Sequence, residues 1–119
     1  MNYQVVTFSQ EESYMEKFLD LPKRLYPPRE LAQNPEVERQ ILTGTHILSH
    51  YFTALPLLVL DSRKDAVSRA VLTVYPGDPV ACLGFFESQD NEEAAALLLK
   101  EADRLAEKYG CSGILGPVD

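Results

Sequence analysis

The sequence predicts a mixed α+β fold of the α/β class, with its elements in the order β-α-α-β-β-β-α-β. Three observations lead to this order. A strand-like segment and two helix-like segments come first, three apolar strand segments joined by short turns follow, and a long amphipathic helix leads into a last strand. Short turns join antiparallel neighbours, whereas a strand–helix–strand connection leads to a parallel neighbour. We therefore expect an antiparallel meander with a parallel last strand.

The first strand and the first helix lie at the N-terminus. Residues 3–8 are rich in Val, Thr and aromatic side chains, which are typical of strands. Ser9 and Glu12 form a capping box, which predicts that a helix starts directly after Ser9. Pro22 predicts the end of that helix or a bend in it, because proline has no N–H to donate to the preceding turn.

The second helix and the central strands follow. Asn34 before Pro35 is typical of a helix start, and Gly44 is typical of a helix end. The three strand segments are residues 52–60, 66–75 and 80–87. Pro56 lies inside the first of them and favours an edge position or a bulge.

The most regular helix pattern lies near the C-terminus. Asp90 is its expected N-cap, with Glu93 three residues later, and Gly110 is expected to end it. Between them, leucines and alanines recur at intervals of three and four residues, so one helix face is apolar. Residues 113–115 form the core of the predicted last strand. At the edge of the sheet, this strand would invite pairing with another chain.

The composition argues against several classes of partner. The chain has 11 Lys and Arg residues against 18 Asp and Glu residues, which gives a formal net charge of −7. Binding to nucleic acid or to an anionic membrane depends on clustered basic residues, so we expect neither. No apolar run is long enough to span a bilayer and no secretion signal is recognisable. Cys82 and Cys111 form no C-x-x-C motif, so we expect two buried, reduced thiols and a cytoplasmic location.

Two groups of side chains could form a site by their spacing. His46 and His50 are four residues apart, as are two imidazole ligands of a metal ion on one helix face. No Cys or Glu follows at a companion spacing, so we expect ordinary histidines and no metal site. The Leu25-Tyr26 pair could line an apolar cleft with Phe85 and Phe86, but core packing is the more common use of such residues.

Three segments carry a resemblance to a known superfamily. Residues 18–26 have the pattern F-x-x-x-P-x-x-L-Y, residues 84–87 are G-F-F-E with Asp90 and Asn91 close behind, and Gly110 precedes Gly116-Pro117. Together with the element order, these segments resemble the N-terminal part of a group of uncharacterised bacterial proteins similar to the GNAT N-acetyltransferases. The corresponding motifs of that group are F-x-x-x-P-x-x-L-Y, G-F-F-E-C-x-D-D and a closing G…GP.

The sequence departs from that group in three ways. Ser68-Arg69 stands where the group usually has a Gly-Arg pair. The chain contains no Trp, whereas the group has a stretch with proline and tryptophan after the first helix. Segments for the last helix and the final two strands of a GNAT fold do not follow. The resemblance therefore implies a single GNAT-like domain over residues 1–119 that lacks these C-terminal elements.

The resemblance also implies where a coenzyme would bind. GNAT enzymes hold the pyrophosphate of acetyl-CoA on backbone N–H groups of a loop, R/Q-x-x-G-x-G/A, between the fourth strand and the next helix. A helix N-terminus attracts anions, and glycine lets the backbone approach them closely. Here residues 87–93 contain four carboxylates and no Gly, Lys or Arg. Asp90 as a cap would also occupy an N–H group, which leaves Ser88, Gln89 and Asn91 as the candidate coenzyme contacts.

Glu87 is the candidate catalytic residue, because GNAT enzymes sometimes carry a general-base carboxylate at this strand exit. We expect the N-terminal portion of a GNAT-like acyl-CoA N-acyltransferase that is not competent for acetyl transfer by itself. Acetyl-CoA is then a cofactor only if the activity is retained. Two alternatives stay open. One is a non-catalytic binding or assembly module, completed by a homodimer or by a missing C-terminal half that pairs with the last strand. The other is an active N-acetyltransferase with an atypical grip on coenzyme A.

Overall fold

The computed structural model describes residues 2–27, 34–46, 49–89 and 91–118. It confirms the predicted mixed α+β class and the order of the main elements. In chain order these are β1 (Gln4–Thr7), α1 (Glu12–Leu25), α2 (Pro35–Thr43), a short 3-10 helix (Ser49–Tyr51), β2 (Thr53–Leu60), β3 (Ala66–Val74), β4 (Val80–Ser88), α3 (Glu92–Lys108) and β5 (Gly113–Val118).

The strands form one sheet of five strands in the order β1-β2-β3-β4-β5. The first three pairs are antiparallel and the β4–β5 pair is parallel, as predicted. The turn between β2 and β3 is closed by Asp61, whose Oδ1 accepts the N–H groups of Arg63 at 2.8 Å and Asp65 at 3.0 Å. The crossover through α3 places β5 alongside β4, at the opposite end of the sheet order from β1.

Each face of the sheet carries its own apolar core. On one face, Leu98 and Ala102 of α3 are fully buried with Leu57 and Leu72 of the sheet. On the other face, the buried residues Met15 and Phe18 of α1 and Leu42 of α2 pack with Leu58 and Val71. The alternation of side chains along each strand supplies both faces, and two helical layers enclose the sheet.

Helix α1 starts later than predicted. Its N-cap is Glu11, which makes no side-chain capping bond, and Ser9 donates its N–H to Glu11 Oε1 at 3.0 Å. The capping-box prediction is wrong because the preceding residue is still bound to the sheet: Phe8 N–H donates to Pro56 O at 3.2 Å. The N-cap of α1 is therefore Glu11, two residues after the predicted Ser9.

Helix α1 also continues past Pro22 to Leu25, so of the two predicted effects of Pro22, an end or a bend, the end of the helix is wrong. Pro22 cannot donate to the carbonyl of Phe18 four residues earlier. That carbonyl instead accepts a hydrogen bond from Arg69 Nη1 at 2.8 Å. A side chain from β3 thus replaces the helix bond that proline removes.

Helix α2 begins and ends as predicted. Asn34 is its N-cap and accepts the N–H of Val37 through Oδ1 at 3.2 Å, and Pro35 is the first helical residue. Gly44 ends the helix with φ 73°, a left-handed conformation that favours glycine. The prediction of an edge position or a bulge at Pro56 is wrong, because β2 is an interior strand. Pro56 lies just beyond the end of β1, where its missing N–H interrupts no β1 bond.

Candidate functional site

Strand β4 contains a bulge shortly before its C-terminal end. Phe85 and Phe86 together lie opposite Ala70 of β3, and Phe85 has a φ of 54°. Phe85 packs with the core under α1 and α2, and Phe86 packs with the core under α3. The two rings therefore serve opposite cores, and they do not line one cleft with Tyr26.

Glu87 follows the bulge on the face that carries α1. The Tyr26 hydroxyl donates to Glu87 Oε1 at 2.7 Å. Tyr26 is the C-cap of α1, where its own N–H donates to Pro22 O at 3.0 Å. The tyrosine is 42% exposed, so solvent reaches this hydroxyl–carboxylate pair. Sequence analysis selected Glu87 but missed Tyr26 as its partner. The L-Y ending of the F-x-x-x-P-x-x-L-Y segment was the signal that could have suggested it.

Beneath this pair lies a buried ion pair that sequence analysis also missed. The side chains of Arg69 on β3 and Glu38 on α2 are 2% and 7% exposed. Arg69 Nη1 lies 2.8 Å from Glu38 Oε1, and Nη2 lies 3.2 Å from Oε2. The guanidinium carbon also lies 4.4 Å from the centre of the Phe18 ring. In the sequence, Arg69 stood out only as part of the Ser68-Arg69 pair, and nothing in the polar run of α2 indicated that Glu38 would be buried.

Ser88 and Gln89 are tied to β3. The hydroxyls of Ser88 and the buried Ser68 lie 2.6 Å apart, and Ser88 Oγ donates to the carbonyl of Gln89 at 3.0 Å. The N–H of Gln89 donates to Val67 O at 2.9 Å. Two of the polar groups predicted to contact a coenzyme, the Ser88 hydroxyl and the Gln89 N–H, are thus engaged within the protein.

Asn91 is the N-cap of α3. Its Oδ1 accepts the N–H of Ala94 at 3.1 Å, and its Nδ2 donates to the Tyr3 hydroxyl. The helix begins at Glu92, so the cap stands one residue later than the predicted Asp90, which lies outside the described residues. An asparagine at this position satisfies an N–H group of the first turn without adding a charge.

The start of α3 does not fit the diphosphate of coenzyme A. A diphosphate needs free N–H donors, close backbone approach and a positive potential. Here Asn91 occupies the N–H of Ala94, and Glu92 and Glu93 place two exposed carboxylates in the first turn. The described residues 87–89 and 91–93 include no glycine and no basic side chain. We therefore assign no step to a coenzyme bound here.

The other predicted features lie away from this site. His46 follows the end of α2, and His50 lies in the 3-10 helix with its ring centre 3.9 Å from that of Tyr51, so the two histidines share no helix face. Cys111 is buried but Cys82 is only half-buried, and both thiols are free. Within the described ranges, no group of three or more His, Cys, Asp or Glu side chains could hold a metal ion. No helix of the described part has the length and apolar character to cross a membrane.

Comparison with known proteins identifies the fold. No protein-family model and no curated protein matches the chain. Among solved structures, a tandem GNAT protein from the clavulanic acid biosynthesis pathway matches with TM-score 0.74 and 16% identity, over 92% of this chain and 34% of that protein. The chain therefore spans about a third of the tandem protein.

Two single acetyltransferases match over most of both chains. A Trypanosoma brucei acetyltransferase has TM-score 0.67 and 14% identity, with 99% of this chain and 84% of that chain covered. The enzyme AAC(6')-Iy, solved with a CoA-S-monomethyl-acetylneamine bisubstrate analogue, has TM-score 0.70 and 12% identity, with 100% and 81% covered. With its meander, its parallel β5 and these structural matches, the chain has the fold of the GNAT acetyltransferases.

Proposed function

We propose that this chain belongs to an acyl-CoA N-acyltransferase-like protein and is not competent for acetyl transfer by itself. The fold supports the first part of the proposal. The start of α3 supports the second part and is the single observation on which it depends. The first turn is already capped by Asn91 and carries the carboxylates of Glu92 and Glu93 where a coenzyme diphosphate would have to bind. That residues 1–119 form a single GNAT-like domain belongs to the same proposal.

Electrostatics gives the reason for the lack of competence. Each carboxylate about 4 Å from a phosphate charge opposes it by roughly 1 kcal/mol in water and by several times that near a protein surface. The negative side chains at Glu92 and Glu93 also interact favourably with the helix dipole that would otherwise attract the anion. The net charge of −7 adds to this repulsion at longer range.

Glu87 remains the candidate catalytic residue. A carboxylate can accept a proton from an ammonium group, which is the task of a general base toward an amine. Tyr26 holds Oε1 of Glu87 at 2.7 Å and orients the carboxylate. Glu87 could therefore bind or deprotonate an amine, whether or not an acyl donor is present.

A steady-state assay tests this proposal. Purified chain is mixed with acetyl-CoA and a panel of amines, and release of the coenzyme thiol is followed with a thiol reagent. We expect no amine-dependent release above the rate without protein. Amine-dependent release that Glu87→Gln abolishes would contradict the proposal and support an active N-acetyltransferase with an atypical grip.

A second candidate function is an assembly module, and the exposed edge strand favours it. Strand β5 is the last strand in the sheet order, and Leu115 on it is 59% exposed. A second copy of the chain, or a separate C-terminal half, could extend the sheet there. Light scattering over a range of protein concentrations tests for the homodimer. A mass that stays monomeric throughout would count against self-association.

A further inference from the structure

Arg69 is the buried charge that connects three elements of the fold. From β3 its guanidinium bonds to the carbonyl of Phe18 in α1 at 2.8 Å and, with both terminal nitrogens, to Glu38 in α2. It also lies over the Phe18 ring. Only 2% of the Arg69 side chain is exposed, so these contacts fix its position.

The bond to Phe18 controls the last turn of α1. Pro22 leaves the Phe18 carbonyl without its normal helix donor, and Arg69 supplies one. The turn that follows ends at Tyr26, whose hydroxyl reaches Glu87. Arg24 makes a separate contact from this turn, to Ala66 O at 3.0 Å, so both guanidinium groups hold the end of α1 against β3.

Arg69 also lies directly across from Glu87. The two residues are partners in the β3–β4 register, immediately beside the bulge of β4. Tyr26 approaches Glu87 from α1, and Glu87 projects from β4. Arg69 therefore contacts α1, the helix that ends at Tyr26, and is also the cross-strand neighbour of Glu87.

We propose that Arg69, clamped by Glu38, is a positioning residue for the contact between Tyr26 and Glu87. It acts by fixing the last turn of α1 at the distance from β4 that this hydrogen bond requires. The functional value of this role rests on the proposed use of Glu87. The structural role itself does not depend on coenzyme binding.

Arginine suits this task because its planar guanidinium can bond several acceptors in fixed directions at once. Lysine keeps the charge but lacks the fork, so it cannot hold both Glu38 oxygens and the Phe18 carbonyl in the same geometry. Arg69→Lys therefore separates positioning from charge, which makes it the variant of choice.

The test is a double-mutant cycle read at Glu87. The ¹³C chemical shift of the Glu87 carboxyl carbon is measured by NMR in the wild-type chain, Tyr26→Phe, Arg69→Lys and the double variant. Tyr26→Phe lacks the hydroxyl, so its Glu87 chemical shift is the reference value for a broken Tyr26–Glu87 hydrogen bond. We expect Arg69→Lys to move the wild-type shift at least halfway to that value, and to cause no further change once the Tyr26 hydroxyl is gone.

Two outcomes would overturn the proposal. One is a folded Arg69→Lys variant with the wild-type Glu87 shift. The other is an equal change with and without the Tyr26 hydroxyl, which would mean that Arg69 affects Glu87 by a route that does not involve Tyr26. If Arg69→Lys does not fold, Glu38→Gln, which loosens the clamp while keeping Arg69, is judged by the same criteria.

A matched control separates positioning from general destabilisation. Leu98→Val weakens the core on the opposite face of the sheet and should leave the Glu87 shift unchanged. None of these measurements uses acetyl-CoA. A failed thiol-release prediction and a failed positioning prediction are therefore distinguishable.

Discussion

Single side chains decide which backbone groups remain available at the candidate site. Asn91 Oδ1 occupies the N–H of Ala94 at the start of α3, and Arg69 Nη1 occupies the carbonyl of Phe18 inside α1. A polar group that is already bonded within the protein gains little from a ligand, because the ligand must first break that bond. Asn91 therefore leaves the start of α3 less open to an anion, and Arg69 leaves no free carbonyl at Phe18.

Replacing Asn91 should weaken α3. Asn91→Ala removes the acceptor for the Ala94 N–H and should lower the free energy of unfolding by about 1 kcal/mol, as the loss of an N-cap usually does. Urea denaturation followed by circular dichroism measures the change. Asn91→Asp keeps an acceptor oxygen and should stay close to wild type; a full loss of stability in both variants would contradict a capping role.

Removing one partner of the buried ion pair should cost far more than removing both. Arg69→Met leaves the Glu38 carboxylate buried without its cation and should destabilise the chain by roughly 3–5 kcal/mol. The Arg69→Met, Glu38→Met double variant should recover most of that loss, since no unpaired charge remains. Denaturant midpoints of the two variants check this, and a double variant as unstable as the single one would refute it.

The sequence indicated the acidic side chains of the site but not their partners. Glu87 could be selected because it follows a strand, and the lack of glycine and basic residues around it was visible directly. Its contact with Tyr26 joins residues 61 positions apart. Which side chains meet over such a separation depends on how helices pack on the sheet, and local sequence patterns do not specify this.

Helix boundaries that depend on local signals were predicted well, and those that depend on contacts with the sheet were not. The boundaries of α2 follow from Asn34, Pro35 and Gly44, because capping is a property of neighbouring residues. The start of α1 is shifted because the sheet still holds Phe8, and its end is shifted because Arg69 compensates for Pro22. In both cases a tertiary contact outweighs a local preference.

The end of α2 offers a test of backbone strain without a steric clash. A Cβ added at Gly44 would have no heavy atom within 4 Å, so Gly44→Ala changes only the conformational preference at φ 73°. We expect a loss of about 1–2 kcal/mol in the free energy of unfolding, the usual cost of a left-handed alanine. Gly44→Asn should lose less, because asparagine tolerates this conformation better. Thermal denaturation of both variants checks the order, and an alanine variant as stable as wild type would contradict it.

At the scale of the whole molecule, an acidic chain folds around a two-sided sheet. The fold class could be predicted because strand and helix periodicities are strong and the order of elements restricts the topology. Among the described residues, most acidic side chains lie at the surface, with the buried Glu38 as the main exception. Their main effect is on what can approach the protein.

Acid should remove one surface contact in a predictable way. The side-chain hydrogen bond from Arg104, together with its charge, holds the pKa of Glu101 below its ordinary value. A carboxyl with a lowered pKa stabilises the folded state above its unfolded pKa, and this contribution is lost as pH falls through the lowered value. The stability difference between wild type and Arg104→Gln should thus be present at neutral pH and disappear in acid. Urea titrations from neutral pH to acid, well below the ordinary pKa of a glutamate, test this; a difference that persists in acid would contradict the assignment.

Isothermal titration calorimetry of the purified chain with acetyl-CoA tests the central claim most directly. If the capped, carboxylate-rich start of α3 excludes a diphosphate, the titration gives only the heat of dilution. A saturable binding isotherm with a micromolar dissociation constant would show that the coenzyme is held after all, and would contradict this account.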